Sequence, residues 1–220
     1  MSAQEAVELT APGRRDIALE ASELQSYLDA LPRLLTESQA LSITGELDTE
    51  VLVKNFFGPG FIQIYGGNGF SMRNVLRISN CSNIVDIHSL EFQEREGHTG
   101  SEGMLAAEHS FYVSVSNCGF TGRGADSNAA AVTASYGSRV RMSRVRIYDL
   151  LYSVEAFMNS CLSIDNSSAE ETSVFGNNLK GAFLSRGGII LLGSGIPDTL
   201  GAVSNVNRGG LIVKSGGTLL

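Results

Sequence analysis

The 220-residue chain is short of proline, of cysteine and of charge, and each shortage removes a class of protein. Four prolines leave long stretches in which backbone ladder hydrogen bonds can form without interruption. Cys81, Cys118 and Cys161 are odd in number and have no CxxC spacing, which argues against a disulfide framework or a zinc site. No window approaches eighteen consecutive apolar residues, so no membrane span is expected. Charged residues make up 18% of the chain and the net charge is −7, a poor balance for a protein that grips nucleic acid. The residues from Met1 to Glu5 lack the basic and apolar regions of a secretory signal, so a cytoplasmic product is expected, or one released by another route.

What is abundant is a repeat. Ser138–Ile147 reads SRVRMSRVRI, with Val140, Met142, Val145 and Ile147 giving two strand alternations joined by a two-residue bend. The same pattern falls on Val85, Ile87, Leu90 and Phe92, and again on Val113, Val115, Cys118 and Phe120. The first apolar residues of successive copies are Leu41, Ile62, Val85, Val113, Val140, Leu162, Ile189 and Leu211, at steps of 21 to 28 residues. Eight residues upstream of Val113, Val140, Leu162 and Leu211 stand Leu105, Val132, Val154 and Val203. Ala107, Ala134 and Ala156 form a further column. A fixed period with variable returns is the mark of a solenoid. An antiparallel sandwich also spaces short strands evenly. The match of residue size within columns favours an all-β, single-stranded parallel β-helix of about eight irregular rungs.

Residues 1–21 read as a loose arm. Over 22–37, Ser22 and Gln25 have capping-box form, and Leu24, Leu28, Leu31 and Leu35 make one helical stripe that Pro32 should bend. Such a helix would cap the open end of a β-helix over 38–220. At the other end Leu211, Val213, Leu219 and Leu220 have no visible cap and call for a partner.

If Val140, Met142, Val145 and Ile147 face inward, Arg139, Arg141, Arg144 and Arg146 face outward as a basic stripe. Tyr112 lies beside Arg139 by column as a cation–π neighbour, Glu91 shares a column with Arg146, and Asp165 lies one rung on. The stripe suits an anionic ligand, such as an acidic glycan or an acidic partner; equally it suits a solvated face with ion pairs worth about 0–1 kcal/mol each. No acid stacks on an acid: the column through Asp86 continues as Ser114, Arg141 and Ser163, and that through His88 as Ser116, Ser143 and Asp165. Glu94, Glu96 and Glu102 share a Gly-rich loop with His98, a poor place to hold two carboxylates at a set separation. His88, His98 and His109 have no metal spacing. No catalytic residue, metal or cofactor is therefore expected. Asn80 and Asn166 match the glycosylation acceptor form, and Tyr136, Tyr148 and Tyr152 are candidate surface aromatics.

The capping helix, Leu41–Gly45 (LSITG), Phe56–Ile64 (FFGPGFIQI) and the irregular rungs over about residues 22–220 resemble the pectin-lyase-like right-handed β-helix modules of phage and prophage tail proteins. Such modules occur in tail fibres, tailspikes and baseplate-associated proteins. The resemblance implies homotrimeric association, contact with host-surface glycans or other virion parts, and a place in the virion tail after synthesis in the host cytoplasm. The chain is much shorter than depolymerase tailspikes and has no recognisable carboxylate pair, so a structural or receptor-binding role is expected. A small polysaccharide lyase or glycoside hydrolase is the alternative, and a bacterial scaffold protein with no ligand is a third.

Overall fold

The computed structural model describes residues 13–67, 70–98, 103–165, 174–176, 183–193, 205–207 and 209–214. The chain winds as a parallel β-solenoid of about seven turns, with three sheets of nine, seven and six strands. From Ser38–Thr44 to Phe183–Arg186 each turn runs through the nine-stranded sheet, the six-stranded sheet and the seven-stranded sheet, in that order. Eight first-column residues suggest eight rungs, but strands that open successive turns enclose one circuit fewer than their own number.

The central columns stand as the spacing predicts. Ile62, Val85, Val113, Val140 and Leu162 are stacked in register, and so are Leu105, Val132 and Val154 beside Ala107, Ala134 and Ala156. The two ends are out of phase. Leu41 pairs with Ile64, and Gln39 fills the column below Ile62, where the Tyr27 hydroxyl donates to its Oε1 at 2.9 Å. Leu162 pairs with Ile190 and Ile190 with Ile212, so Ile189 and Leu211 face outward, 40% and 39% exposed. The run Ile189–Leu192 is wholly apolar and carries no alternation to set its phase, and a one-residue slip changes the face of every side chain. Val203, Leu219 and Leu220 lie outside the described residues.

Inside the coil the six-stranded sheet stacks Leu47, Met72, Phe92, Phe120 and Ile147. The Phe92 and Phe120 rings lie 4.7 Å apart and nearly parallel. Cys118 is fully buried among them as a small hydrophobe, and that burial pushes its thiol up to about 12. All three cysteines are free thiols.

The first end is built differently from the sequence expectation. Within the stretch read as a loose arm, Arg14–Glu20 forms a strand paired in parallel with Ser38–Thr44; residues 1–12 lie outside the described residues. Its exposed charges make a poor template for further strand pairing. The expected helix over 22–37 is shorter: a 3₁₀ turn at Ala21–Glu23 leads into α1, Leu24–Ala30. Leu31 is extended, as the residue before a proline tends to be, and Pro32 ends the helix rather than bending it. The Glu23 carboxylate takes the cap by accepting the Glu20 N–H at 3.0 Å. Gln25 is thereby left for another task. Its Oε1 accepts the Leu52 N–H at 2.7 Å and its Nε2 donates to the Leu52 carbonyl at 3.3 Å, so the side chain completes the edge of the seven-stranded sheet. With Leu24, Leu28 and Leu35 buried, the helix caps the coil. No helix among the described residues is long and apolar enough to cross a membrane.

The phase at the last turns is testable by denaturant unfolding. Ile190→Ala should cost about 2–5 kcal/mol as a core truncation, whereas Ile189→Ala should change the stability of the single chain, measured at dilution, by less than about 0.5 kcal/mol.

Candidate functional site

Three corners join the sheets, and left-handed residues occur at all of them; between the six- and seven-stranded sheets they are Gly97, Gly124 and Asp149. Where the nine-stranded sheet passes to the six-stranded one, Ser89, Asn117 and Arg144 have φ of 57°, 53° and 53°. These are the second residues of the two-residue bends in the sequence pattern. Where the seven-stranded sheet returns to the nine-stranded one, the left-handed position is held by Asn55, Asn80, His109, Tyr136, Met158 and Gly187. The inside of this return corner is a column of Cys81, Ser110, Ser138 and Ser160, all buried. The Ser110 N–H donates to Ser138 Oγ at 3.0 Å, and Ser138 and Ser160 donate to the Ser135 and Ala134 carbonyls, both at 2.7 Å. Small hydroxyl side chains satisfy backbone groups that a sharp turn would otherwise strand.

The predicted basic stripe is divided by the first of these corners. Arg139 and Arg141 lie on the strand Arg139–Ser143, Arg146 on Arg146–Tyr148 of the next sheet, and Arg144 in the bend between them. All four are exposed, but they do not share one face. Arg141 bonds Asp165, and the hydrogen bonds it donates to Tyr112 and then to Asp165 raise its already high pKa. Arg146 bonds Glu91 across an intervening rung. Gly119 stands between them in register, and a Cβ there would fall 1.9 Å from the Glu91 carboxylate. The aromatic neighbour of Arg139 is Phe111 rather than Tyr112: its guanidinium lies 5.9 Å from the Phe111 ring centroid. Tyr112 is drawn to Arg141 instead, while Phe111 projects at the return corner, 59% exposed.

Four further acids hold structure. Asp86 accepts from Gln63 at 2.8 Å, and Glu50 and Glu108 both pair with Arg77. Glu94 ties the two polar loops together, its carboxylate accepting the Arg123 N–H at 3.1 Å and the Asn128 N–H at 2.9 Å. Glu102 and Asn166 lie outside the described residues. Among the described residues no three of His, Cys, Asp and Glu converge on a point that could hold a metal ion.

Two features escape the sequence reading. The first is the return corner on its outer side. His109 and Tyr136 stack there with ring centroids 4.7 Å apart at 10°, and Tyr136 and Met158 are 48% and 55% exposed. The only signal for it is a bulky residue where preceding rungs have asparagine. The second is Glu155, on the outward column of the seven-stranded sheet between Thr133 and Leu184. It is fully buried, neither carboxylate oxygen has a hydrogen-bond partner, and desolvation lifts its pKa to about 7, with Arg186 pulling it back in part. Of the other candidate aromatics, Tyr152 is buried at 7% exposure and Tyr148 is half-buried.

No protein-family model, curated protein or solved structure matches this chain.

Two predictions follow from the charges. Gly119→Ala should displace the Glu91 carboxylate and separate it from Arg146 for at most about 1 kcal/mol, because the pair is exposed; Glu91→Gln should then cost nothing further in the Gly119→Ala background, measured by chemical unfolding. Glu155 binds its proton more tightly in the folded protein than in the unfolded chain. Its contribution is therefore present below the ordinary glutamate range and is lost as pH rises through about 7. Glu155→Gln should remove that dependence and gain on the parent by on the order of 3 kcal/mol between pH 5 and pH 8, read by chemical unfolding at each pH.

Proposed function

We propose that this chain is a non-catalytic structural and receptor-binding component of a phage or prophage tail, which meets host-surface carbohydrate or a neighbouring virion protein along its return corner. The observation that carries this reading is the recurrence of exposed apolar side chains along that corner. Ile84, Ile189 and Leu211 stand in one outward column, 47%, 40% and 39% exposed, with Tyr112, Arg139 and Cys161 on the rungs between Ile84 and Ile189, and Phe57, Phe111 and Met158 lie in the corner beside it at 48%, 59% and 55%. Apolar side chains scattered singly need no explanation, but their recurrence along one corner favours a contact surface. The acids support the same reading. Asp86, Asp165, Glu91 and Glu94 are each engaged by a neighbour, so these four outward carboxylates serve as hydrogen-bond and ion-pair partners.

Self-association is assigned to the last turns, where Leu191, also 40% exposed, widens the row beside Ile189 and Leu211. Light scattering should give a trimer of the 23.4 kDa chain. The triple variant Ile189→Ser, Leu191→Ser, Leu211→Ser should give a monomer with an unchanged β-sheet circular dichroism spectrum. A monomeric parent would overturn the assembly and leave a single-chain binder.

A further inference from the structure

One outward column of the seven-stranded sheet is dry. Ala106, Thr133, Glu155 and Leu184 follow one another in register, and all four are buried although they face away from the inside of the coil. A carboxylate in such a place either keeps its proton or finds a cation. Neither Glu155 oxygen has a hydrogen-bond partner, and its in-register neighbours Thr133 and Leu184 carry no charge. On its own strand the other titratable group is the buried Tyr152. The flanking strand Ala130–Ser135 has none, and Phe183–Arg186 supplies Arg186 alone. Further back, Arg77 and Glu108 are paired with each other.

The cation is within reach but is placed elsewhere. Arg186 pairs in register with Phe157, and Glu155 stands two residues before Phe157. The Arg186 guanidinium lies 5.5 Å from the Phe157 ring centroid, and no carboxylate bonds it among the described residues. The same fold does make such a diagonal bond: Arg141 passes its in-register neighbour Ser163 to reach Asp165, two residues along. The difference lies in the acids. Asp165 is partly exposed, whereas Glu155 is buried and desolvation lifts its pKa to about 7. The backbone under Arg186 is fixed, since its carbonyl accepts the Met158 N–H at 3.2 Å and the Gly187 carbonyl accepts the Asn159 N–H at 2.7 Å. Only the side chain can change partner.

We propose that Arg186 is a two-position latch at the return corner, lying on the Phe157 ring while Glu155 is protonated and swinging to the Glu155 carboxylate once that proton has left for solvent. A cation is held weakly on an aromatic face and strongly on a desolvated carboxylate, so deprotonation decides between the two. Raising the pH through neutrality uncovers Phe157 beside Met158, itself 55% exposed, and enlarges the apolar surface of the corner. In this effect, though not in its chemistry, the latch rests on the contact-surface reading above.

The test is NMR of the full chain, isotope-labelled in arginine and glutamate and titrated across neutrality. At the acid end the Arg186 side-chain protons should be shifted upfield by the Phe157 ring current. That shift should disappear as Glu155 loses its proton, with the same midpoint of about 7. Glu155→Gln should keep the shift at every pH. Arg186→Gln should raise the Glu155 midpoint further, because the ionised carboxylate loses its partner. Arg186 protons that stay on the ring while Glu155 titrates would overturn the latch and leave only a charge acting at a distance. Absence of the ring-current shift at acid pH, or titration of Glu155 in the ordinary glutamate range, would overturn it too. All these signals come from the protein without ligand or partner. Failure of the latch therefore leaves the contact role of the corner standing, and a monomeric parent leaves the latch standing.

Discussion

Parallel ladder hydrogen bonding from rung to rung is the constraint on which the molecule depends. It makes the physical neighbours of a residue those one turn away, some 21 to 28 positions along the chain. Each column must then satisfy itself in size and polarity, which is why phenylalanine stacks on phenylalanine in the six-stranded sheet and serine bonds serine at the return corner. The ladder also needs an end. Gln25 supplies one by offering its side-chain amide to the Leu52 backbone, in the place where a further strand would have stood.

Much of this was legible because inward columns are fully buried and tolerate little else. Val85, Val113 and Val140 can be aligned by eye, and so can the alanines at 107, 134 and 156. Legibility fails where the alternation fails. Ile189–Leu192 offers four apolar residues for two inward places, and Gln39 is a polar residue in an inward place, made acceptable by the Tyr27 hydroxyl and the Glu37 carbonyl. The strand Arg14–Glu20 looks like a tail because it packs mainly by its edge and stays largely exposed.

The candidate site was legible in part. Pairing of Arg146 with Glu91 follows from the columns alone, whereas Arg141 reaches diagonally past Ser163, its neighbour in register, to Asp165. That pairing neutralises two members of the supposed stripe, and the bend at Arg144 places Arg146 on another sheet. What columns cannot reveal is the conformation of the corners. The aromatic partner of Arg139 was misassigned by one residue, and the stack of His109 on Tyr136 depends on a backbone state that the sequence disguises.

The three corners differ in one further respect. Two of them are tightly specified, by a left-handed residue in each bend and by buried serines behind the return. The third, between the six- and seven-stranded sheets, takes the polar loops around Glu94 and Arg123, which lie on the surface and hold each other by backbone amides. Length nonetheless varies at all three: the return corner takes seven residues between Lys54 and Ile62 but three between Glu108 and Tyr112, and the first corner takes four between Gly66 and Ser71 but two between His88 and Glu91. New segments could therefore enter such a chain at any of its three edges, provided each returns it to the next rung in phase.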